Sequence, residues 1–486
     1  MASLEELRDE RLKKKQILAD KGFDTYPAKS QRTHTIFQFK TQFDTLAESK
    51  ESVTIAGRIM SQRGQGALAF ADLFDGSGKT QLFLKSDEMD AAIYKLFTDT
   101  VDVGDFVEAT GIAYLTKRGE HALFVSGWKM LTKSLLPLPE KWHGITDPDE
   151  RYRKRYLDIL TDPELQDLFY KKSQFWEVTR NFMKEAGFLE VETPTVEVTT
   201  GGAEANPFKT HHNDFDIDVF MRISVGELWQ KRLMAAGFAK TFEIGRVYRN
   251  EGSSPDHLQE FTNMEFYWAF ADYEMGMDLV ERLYKKIAVD VFGKTEFTTR
   301  GHTFDLNDTW KKIDYVQEIE TQTGINVLDA SDADMKAKLD ELGVKYEGAN
   351  RERLTDTLWK YCRKNISGPA FLVRVPKLVS PLAKACTDDP RVTERFQILL
   401  AGSEVGNGFS ELNDPIDQRA RFELQQKMIE AGDKEAMMPE WEFVEMLEHG
   451  MPPTCGFGFG ERLFAFLVDK PLRETQLFPL LKPKND

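Results

Sequence analysis

The pattern of hydrophobic and polar positions is most informative between residues 240 and 270, where it predicts two β-strands joined by a polar loop. Side chains alternate across a strand, so the second strand has one apolar face and one mixed face. The apolar face carries Met264, Phe266, Trp268 and Phe270, and the mixed face carries Phe261, Asn263, Glu265 and Tyr267. Arg249 and Glu251 share a face of the first strand. We expect the mixed face to form a site suited to a nucleotide and an amine; an exposed strand pair with ordinary cross-strand ion pairs is the alternative.

The N-terminal third of the chain predicts a charged helix followed by a small β-barrel. The helix covers residues 4 to about 22, within an N-terminal extension of residues 1–50. Short alternating strands follow between residues 53 and 131, separated by turns at 75–78 and 117–120. Five strands at this spacing predict an OB-type barrel, a frequent carrier of single-stranded nucleic acid. A barrel without that role is the alternative.

The remainder predicts a larger domain in which helices alternate with strand-like segments. A proline-containing linker covers residues 137–150, and the second domain covers residues 151–486. Helical periodicity predicts helices at about 164–187, 227–237, 273–292, 310–320, 333–342, 351–365, 417–431 and 438–448.

Composition and charge narrow the class of protein. No apolar run reaches the ~18 residues needed to span a bilayer, and the charged N-terminus has no signal-peptide core, so we expect a cytoplasmic protein. The cysteines Cys362, Cys386 and Cys455 lie far apart, which gives no support to a zinc or disulfide framework. The net charge of −16 argues against a nucleic-acid partner. Because the acidity lies mostly in the C-terminal two-thirds, the N-terminal part could still bind one.

Three blocks of sequence, taken in order, resemble the signature motifs of the class II aminoacyl-tRNA synthetases. Residues 187–196 (GFLEVETPTV) are similar to motif 1, residues 246–267 to motif 2, and residues 456–467 (GFGFGERLFAFL) to motif 3. The whole chain resembles the bacterial lysyl enzymes of that family. The resemblance implies an α+β fold, in which an antiparallel sheet flanked by helices forms a catalytic domain at 151–486. It also implies a helical insertion at about 293–368 and a homodimer with Pro194 at its interface.

The resemblance further implies an ATP site. Arg249 would bridge the amino-acid carboxylate and the α-phosphate, and Phe261 would stack under adenine. Arg462 would cover the other adenine face and reach the γ-phosphate, while Glu251 and His257 would meet adenine and the phosphate tail. Two of these residues have plainer interpretations from the sequence alone: Phe261 as a core ring, and His257 as an exposed loop residue.

Mg²⁺ is the cofactor that the resemblance implies, with Glu404 as its ligand beside ATP. Relatives often carry a second metal-binding glutamate seven residues earlier, where this chain has Gln397. An amide oxygen can still coordinate Mg²⁺, but it supplies one charge less. The sequence therefore leaves the number of bound ions open.

A lysine pocket is the third implied site. Its predicted residues are Gly202, Glu227, Arg249, Glu265, Tyr267, Asn407, Phe409 and Glu411. The resemblance assigns the ε-ammonium to Glu411 and Tyr267, and the α-ammonium to Gly202 and Glu227. No lysine or arginine other than Arg249 is expected there, so an acidic side chain would be repelled. From the sequence alone, Glu227 also fits a capping box beginning at Ser224, and Glu411 a solvated turn.

The barrel resembles the anticodon-binding domain of the family, at residues 51–136. Phe70 would stack on an anticodon base, while Arg63, Gln81 and Glu120 would read base edges, as is usual for splayed single-stranded RNA. Ala67 occupies a position that is often lysine, which weakens the local electrostatic attraction for RNA.

The resemblance thus implies an ATP-dependent ligase that activates lysine and transfers it to tRNA. Compared with typical members, the chain is one residue longer between Asn213 and Glu227 and one residue shorter between Gly456 and Arg462. Two alternatives stay open: an enzyme that modifies a protein lysine, whose relatives lack the barrel, and a catalytically inert RNA-binding paralogue.

Overall fold

The structure is a computed structural model that describes residues 3–139, 145–202, 205–252, 254, 257–346, 350–431 and 437–484. The chain divides into two compact units, Met1–Arg151 and Tyr152–Asp486. Part of the predicted linker, residues 140–144, lies outside the described residues.

The first unit contains a closed five-stranded barrel, in which the strands follow the order β1-β2-β3-β5-β4. Its elements are α1 (Leu4–Asp20), α2 (Ile36–Thr41), α3 (Phe43–Ser49), β1 (Val53–Gln65), β2 (Leu68–Phe74), β3 (Lys79–Lys85), α4 (Ala91–Thr100), β4 (Phe106–Leu115) and β5 (His121–Thr132). The predicted strands are confirmed. Along β2, Ala69, Ala71 and Leu73 point into the core while the residues between them are half-buried, the alternation expected of a barrel wall. The helices α2, α3 and α4 were not predicted from the sequence.

The second unit is an antiparallel-dominated sheet with flanking helices. Its helices are α5 (Pro148–Arg153, which begins just before the boundary), α6 (Arg155–Thr161), α7 (Pro163–Glu185), α8 (Glu227–Ala235), α9 (Tyr273–Phe292), α10 (Tyr315–Thr323), α11 (Asp332–Glu341), α12 (Arg351–Cys362), α13 (Pro415–Glu430), α14 (Trp441–His449) and α15 (Arg462–Leu467). Its strands are β6 (Leu189–Glu190), β7 (Val196–Glu197), β8 (Lys209–His212), β9 (Ile217–Met221), β10 (Lys240–Tyr248), β11 (Glu260–Ala269), β12 (Glu296–Thr299), β13 (His302–Asp305), β14 (Lys311–Asp314), β15 (Ala370–Pro376), β16 (Val392–Leu400), β17 (Ser403–Ser410) and β18 (Thr454–Gly460).

The main sheet runs in the order β14-β15-β16-β17-β18-β11-β10-β6 within the described residues, and only its outermost pairs are parallel. One face packs on α7 and α9 in a large apolar core that includes Met264 and Phe266. The opposite face carries Glu265 and Tyr267, so the alternation predicted for β11 is confirmed. The sheet therefore separates a hydrophobic core from a polar face.

Three details of the predicted pattern are wrong. Phe270 lies beyond β11 with a positive φ of 61° and is 76% exposed. Arg249 and Glu251 follow the last residue of β10, although the Arg249 N–H still donates to Gln259 O at 2.8 Å. The predicted helix at 310–320 begins only at residue 315, because residues 311–314 form β14. Asp314 then caps α10 by accepting from two backbone N–H groups.

Candidate active site

A cavity of about 520 Å³ opens on the polar face of the main sheet. Its lining includes every residue predicted for lysine, ATP and metal binding: Gly202, Glu227, Arg249, Glu251, His257, Phe261, Glu265, Tyr267, Gln397, Glu404, Asn407, Phe409, Glu411 and Arg462. These residues come from β11, β16, β17, α8, α15 and the loops between the elements. Segments that are far apart in sequence thus meet at one place.

Glycines on β18 create the room for this cavity. Gly456 and Gly458 pair with Tyr267 and Glu265 on one side and with β17 on the other. A Cβ atom on Gly456 would lie 2.6 Å from Tyr267 Cε1 and would overlap Glu411. A Cβ on Gly458 would lie 2.7 Å from Glu265 Cγ. The alternating glycines of motif 3 therefore keep the middle of the sheet open for larger side chains from neighbouring strands.

One end of the cavity is acidic and enclosed. Glu227, Glu265 and Glu411 are 7%, 7% and 1% exposed. Glu265 accepts hydrogen bonds from the Val225 N–H at 2.8 Å and from the Tyr267 hydroxyl at 3.1 Å. Neither carboxylate oxygen of Glu411 accepts a well-directed hydrogen bond from another described residue. Burial, reinforced by the neighbouring carboxylates, raises the pKa of Glu265 to about 7 and that of Glu411 to about 8. Such a cluster is suited to a cation that carries several N–H donors.

A lysine of the chain itself already reaches into this acidic end, which contradicts the expectation of no cation beyond Arg249. Lys231 is 1% exposed, and its Nζ lies 2.9 Å from Glu227 Oε1 and 2.6 Å from Glu411 Oε2. Burial alone would lower the pKa of Lys231, but the carboxylates of Glu227 and Glu411 outweigh burial. The pKa is therefore raised, and the ammonium stays charged. The sequence signal was the four-residue spacing from Glu227 to Lys231 on one helix.

The structure also decides between interpretations of Glu227 and Glu411. Helix α8 begins at Glu227 after Gly226, which has a positive φ of 66°, and no side chain caps it. The Ser224 hydroxyl donates to Gly201 O at 3.3 Å instead, so the capping-box alternative is wrong. Glu411 is buried, so the solvated-turn alternative is wrong as well.

Arg249 stands between the acidic end and the aromatic part of the cavity. It donates to Ile223 O, and its guanidinium lies 5.4 Å from the Phe261 ring centre. Burial lowers the pKa of Arg249, against the opposing effects of Glu251 and Glu265. Phe261 also packs against the small apolar cluster of Leu258, Ala465 and Leu472. The ring thus has a core contact on its edge and borders the cavity.

The other predicted ATP residues line the same cavity. His257 is exposed, and its Nδ1 lies 2.7 Å from Ser254 Oγ. Arg462 opens α15 directly after the glycine strand and reaches the cavity wall. Arg395, which was not predicted, also lines the cavity; its Nε donates to Asn407 Oδ1 at 2.8 Å.

The predicted metal ligands are engaged with the protein. Gln397 donates its amide N–H to Glu404 Oε2 at 3.0 Å, and Trp359 Nε1 donates to Glu404 Oε1 at 2.6 Å. Arg363 Nη1 lies 2.9 Å from the same Oε1. Burial alone would raise the pKa of Glu404, but Arg363, Trp359 and Arg395 together hold it below its usual value. No group of three or more acidic, histidine or cysteine side chains is placed to hold a metal ion across the described residues. This donor set does not fit an ion held by the protein alone.

In the barrel, the predicted anticodon residues lie on and around an aromatic surface. Phe70 stacks on Phe83 at 4.9 Å, and Arg63 lies 5.3 Å from the Phe70 ring centre. Gln81 is buried on β3, Glu120 is exposed in the turn before β5, and Ala67 precedes β2. The surface continues through the rings of Phe83, Tyr114 and Phe124, which were not predicted from the sequence and lie at centre distances of 5.3 to 5.6 Å from one another. Their signal is the strand register, which sets Phe83 beside Phe70 and Phe124.

Comparison with known proteins agrees with this geometry. The family described as tRNA synthetases class II (D, K and N) matches residues 147–482. The chain belongs to this class II synthetase family. A second family, described as the OB-fold nucleic acid binding domain, matches residues 53–131. The resemblance to the class II synthetases and the prediction of an OB-type barrel are thereby confirmed.

Relatives within the synthetase family match over nearly the whole chain. The protein named lysine–tRNA ligase from Thermotoga maritima is 41% identical over 99% of this chain and 97% of its own length. The lysine–tRNA ligase of Roseiflexus sp. (strain RS-1) is 42% identical over 99% of this chain and all of its own. The lysine–tRNA ligase of Halalkalibacterium halodurans is 41% identical over 99% of this chain and 98% of its own length. Among the described helices of this synthetase, none combines the length and the apolar character needed to cross a membrane.

Proposed function

We propose that the chain is a lysine–tRNA ligase, which joins lysine and ATP to give lysyl-adenylate and pyrophosphate and then transfers the lysyl group to the 3′ end of tRNA(Lys). Relatives over 40% identical along almost the whole chain carry that name. The observation that carries the lysine assignment is the closed acidic end of the cavity, where Glu227, Glu265 and Glu411 are buried together.

The charges of this end match a substrate with two ammonium groups. Three carboxylates against Lys231 and Arg249 leave one uncompensated negative charge if all are ionised, and lysine adds one net positive charge. We assign the ε-ammonium to Glu411 and Tyr267, and the α-ammonium to Glu227 and Gly202. Asn407 and Phe409 frame the aliphatic chain. A neutral analogue would leave a buried carboxylate unpaired, which costs far more than a lost methylene contact.

Adenylation needs charge stabilisation rather than a covalent enzyme intermediate. Attack of the lysine carboxylate on the α-phosphate gathers negative charge on phosphoryl oxygens. We assign Arg249 to both reacting groups, since it lies beside both Glu265 and Phe261 and its planar guanidinium can bind oxyanions with two parallel hydrogen bonds. We assign Phe261 to the adenine base, Arg462 to its other face and the γ-phosphate, and Glu251, His257 and Glu404 to the adenine and phosphate surroundings.

Mg²⁺ is the expected cofactor, arriving with ATP. Mg²⁺ in nucleotide sites takes most of its ligands from phosphates and water, with one or two carboxylates from the protein, and it neutralises phosphate charge. Gln397 and Glu404 are the residues that the sequence predicts beside this ion; because both are already hydrogen-bonded to protein groups, we propose that the phosphates of ATP hold it.

The barrel at 51–136 is proposed to bind the tRNA anticodon through Arg63, Phe70, Gln81 and Glu120. Its aromatic surface supports this, because unstacked bases bind to exposed rings. Residues 1–50 form the extension, 137–150 the linker, and 151–486 the catalytic domain with its insertion at about 293–368. We also propose a cytoplasmic homodimer with Pro194 at the interface; Pro194 is exposed beside the exposed side chains of Val196 and Val198.

ATP–pyrophosphate exchange with a panel of amino acids tests the proposal. We expect strong exchange with lysine, weaker exchange with ornithine, and none with norleucine or aspartate, because one methylene is worth about 1–3 kcal/mol and a missing cation more. Exchange that is equally fast with norleucine would refute the role of the acidic end. Absence of lysine-dependent exchange with intact tRNA binding would favour the inert paralogue.

A further inference from the structure

The carboxylate of Glu404 is surrounded by protein donors instead of open metal-coordination positions. Arg363 Nη1 lies 2.9 Å from Oε1, Trp359 Nε1 donates to the same oxygen at 2.6 Å, and Gln397 donates to Oε2 at 3.0 Å. Each oxygen therefore already has a partner. A cation that coordinated Glu404 would compete with these donors for the lone pairs and the charge of the carboxylate.

These donors are held rigidly. Trp359 is 1% exposed on α12 and packs against Tyr315 at a ring-centre distance of 4.9 Å. The turn that carries Arg363 is tied to the β16–β17 connection, because Ala401 and Gly402 donate their N–H groups to Ser367 O and Ile366 O at 2.7 and 2.8 Å. Gln397 pairs with Asn407 across β16 and β17, next to a register shift, and its side chain reaches Glu404 near the start of β17. The arrangement is thus part of the fold and not a chance contact of mobile side chains.

The charges at this position complete the argument. A second acidic residue at 397 would give two adjacent carboxylates that need more than one positive charge, which a divalent ion supplies. With Gln397, a single carboxylate remains, and one guanidinium neutralises it. Arginine keeps its charge at every physiological pH.

We propose that Arg363 serves as a built-in cation at the phosphate side of the active site, so that the protein itself holds no divalent ion at Glu404 and uses only the one that ATP carries. This inference rests on the proposed function, since it concerns the ATP site of that reaction. Arg363 is a positioning residue: it acts through Glu404, which lines the cavity, and it does not line the cavity itself.

Mn²⁺ binding followed by electron paramagnetic resonance tests the proposal on the full-length protein. We expect no Mn²⁺ to bind at micromolar concentration without nucleotide, and a single Mn²⁺ per active site with a non-hydrolysable ATP analogue. Additional Mn²⁺ bound to the native protein, with or without the analogue, would overturn the proposal.

Two variants sharpen the test. Gln397→Glu, which leaves the Arg363 contact in place, and the double variant Gln397→Glu with Arg363→Gln are expected to gain a Mn²⁺ site. The double variant should bind Mn²⁺ about 10- to 100-fold more tightly than Gln397→Glu alone, which is the usual effect of a group that contacts a metal ligand. Arg374→Gln is the matched control, because Arg374 also pairs with carboxylates, and these carboxylates, Asp314 and Asp388, do not line the cavity.

The outcomes separate this inference from the proposed function. If the double variant gains no Mn²⁺ while it remains folded and still exchanges pyrophosphate, Arg363 does not replace an ion and the inference fails alone. If lysine-dependent exchange is absent from the native protein while a single Mn²⁺ binds with the analogue, the proposed function fails and the metal count stands.

Discussion

Lys231→Met is the substitution whose effect follows most directly from the structure. Its ammonium contacts Glu227 at 2.9 Å and Glu411 at 2.6 Å, and it is 1% exposed. At these distances and an effective dielectric constant of about 20, each contact is worth roughly 6 kcal/mol before desolvation is counted. Desolvation offsets much of this, and removing one partner of a buried ion pair typically costs about 3–5 kcal/mol. We expect the free energy of unfolding to fall by about that amount.

The substitution also changes the charge of the lysine pocket. Without the ammonium, Glu411 loses the positive charge that opposes the effect of burial on its pKa, so its protonated form is favoured further and attracts the substrate less. Truncating one partner of a buried charge pair costs about 2–5 kcal/mol of binding. We therefore expect the KM for lysine in pyrophosphate exchange to rise at least about 30-fold, with the KM for ATP little changed.

Lys133→Met provides a matched control. Lys133 is equally buried and contacts Asp102 and Asp105 at 2.6 and 2.7 Å, but it lies in the barrel unit. The Lys133→Met substitution should lower the melting temperature without affecting the KM for lysine. The reasoning is wrong if Lys231→Met leaves that KM within about twofold of the native value while the melting temperature falls, or if both variants raise it equally.

Four further predictions concern the site and the barrel. Because the pKa values of Glu265 and Glu411 are raised to about 7 and about 8, both carboxyl groups lose protons as the pH rises from about 6 to 8. Lysine binding should therefore tighten over this window and release protons. Calorimetry in buffers of different ionisation enthalpy will measure the number of protons released. Stability in the absence of lysine should fall over the same window, since a carboxylate with a raised pKa favours the folded state only while protonated; a flat thermal-melting profile between pH 6 and 8 would contradict this. Gly456→Ala should abolish lysine-dependent exchange, because the added Cβ would overlap Glu411. Gly127→Ala is the control and should leave exchange unchanged, because the space around Gly127 is open. Equal activity of the two variants would argue against the role of β18. Phe70→Ala should weaken tRNA(Lys) binding by about 1–3 kcal/mol in a filter-binding assay while exchange without tRNA stays normal, and unchanged tRNA binding would remove Phe70 from the anticodon surface.

The sequence predicted those parts of the molecule that depend on local patterns. The strands of the barrel and the two faces of β11 follow from alternation, and the G-x-G-x-G segment marks a strand that must stay open. The predicted start of the helix at 310–320 was wrong because residues 311–314 form β14, a short edge strand whose place depends on pairing with β15, some sixty residues later.

The parts that could not be predicted involve charge compensation across the fold. Glu404 and its seven-residue spacing from Gln397 were visible, but Arg363 and Trp359 belong to a separate helical segment, and only tertiary packing brings them to the same carboxylate. Lys231 was visible beside Glu227 on one helix, yet its contact with Glu411 spans 180 residues. A sequence pattern gives the residue types of a polar cluster more readily than its balance of charge.

The hydrogen bond from Trp359 to Glu404 gives the protein an intrinsic fluorescent reporter. The wavelength and intensity of indole fluorescence depend on the electric field around the ring. The carboxylate of Glu404, which accepts from this indole, borders the space where we expect the triphosphate. Nucleotide entry should therefore change the emission of Trp359 before any chemistry occurs. With Trp359→Phe as the reference for the other tryptophans, stopped-flow mixing could separate the arrival of ATP from the formation of adenylate without attaching a dye.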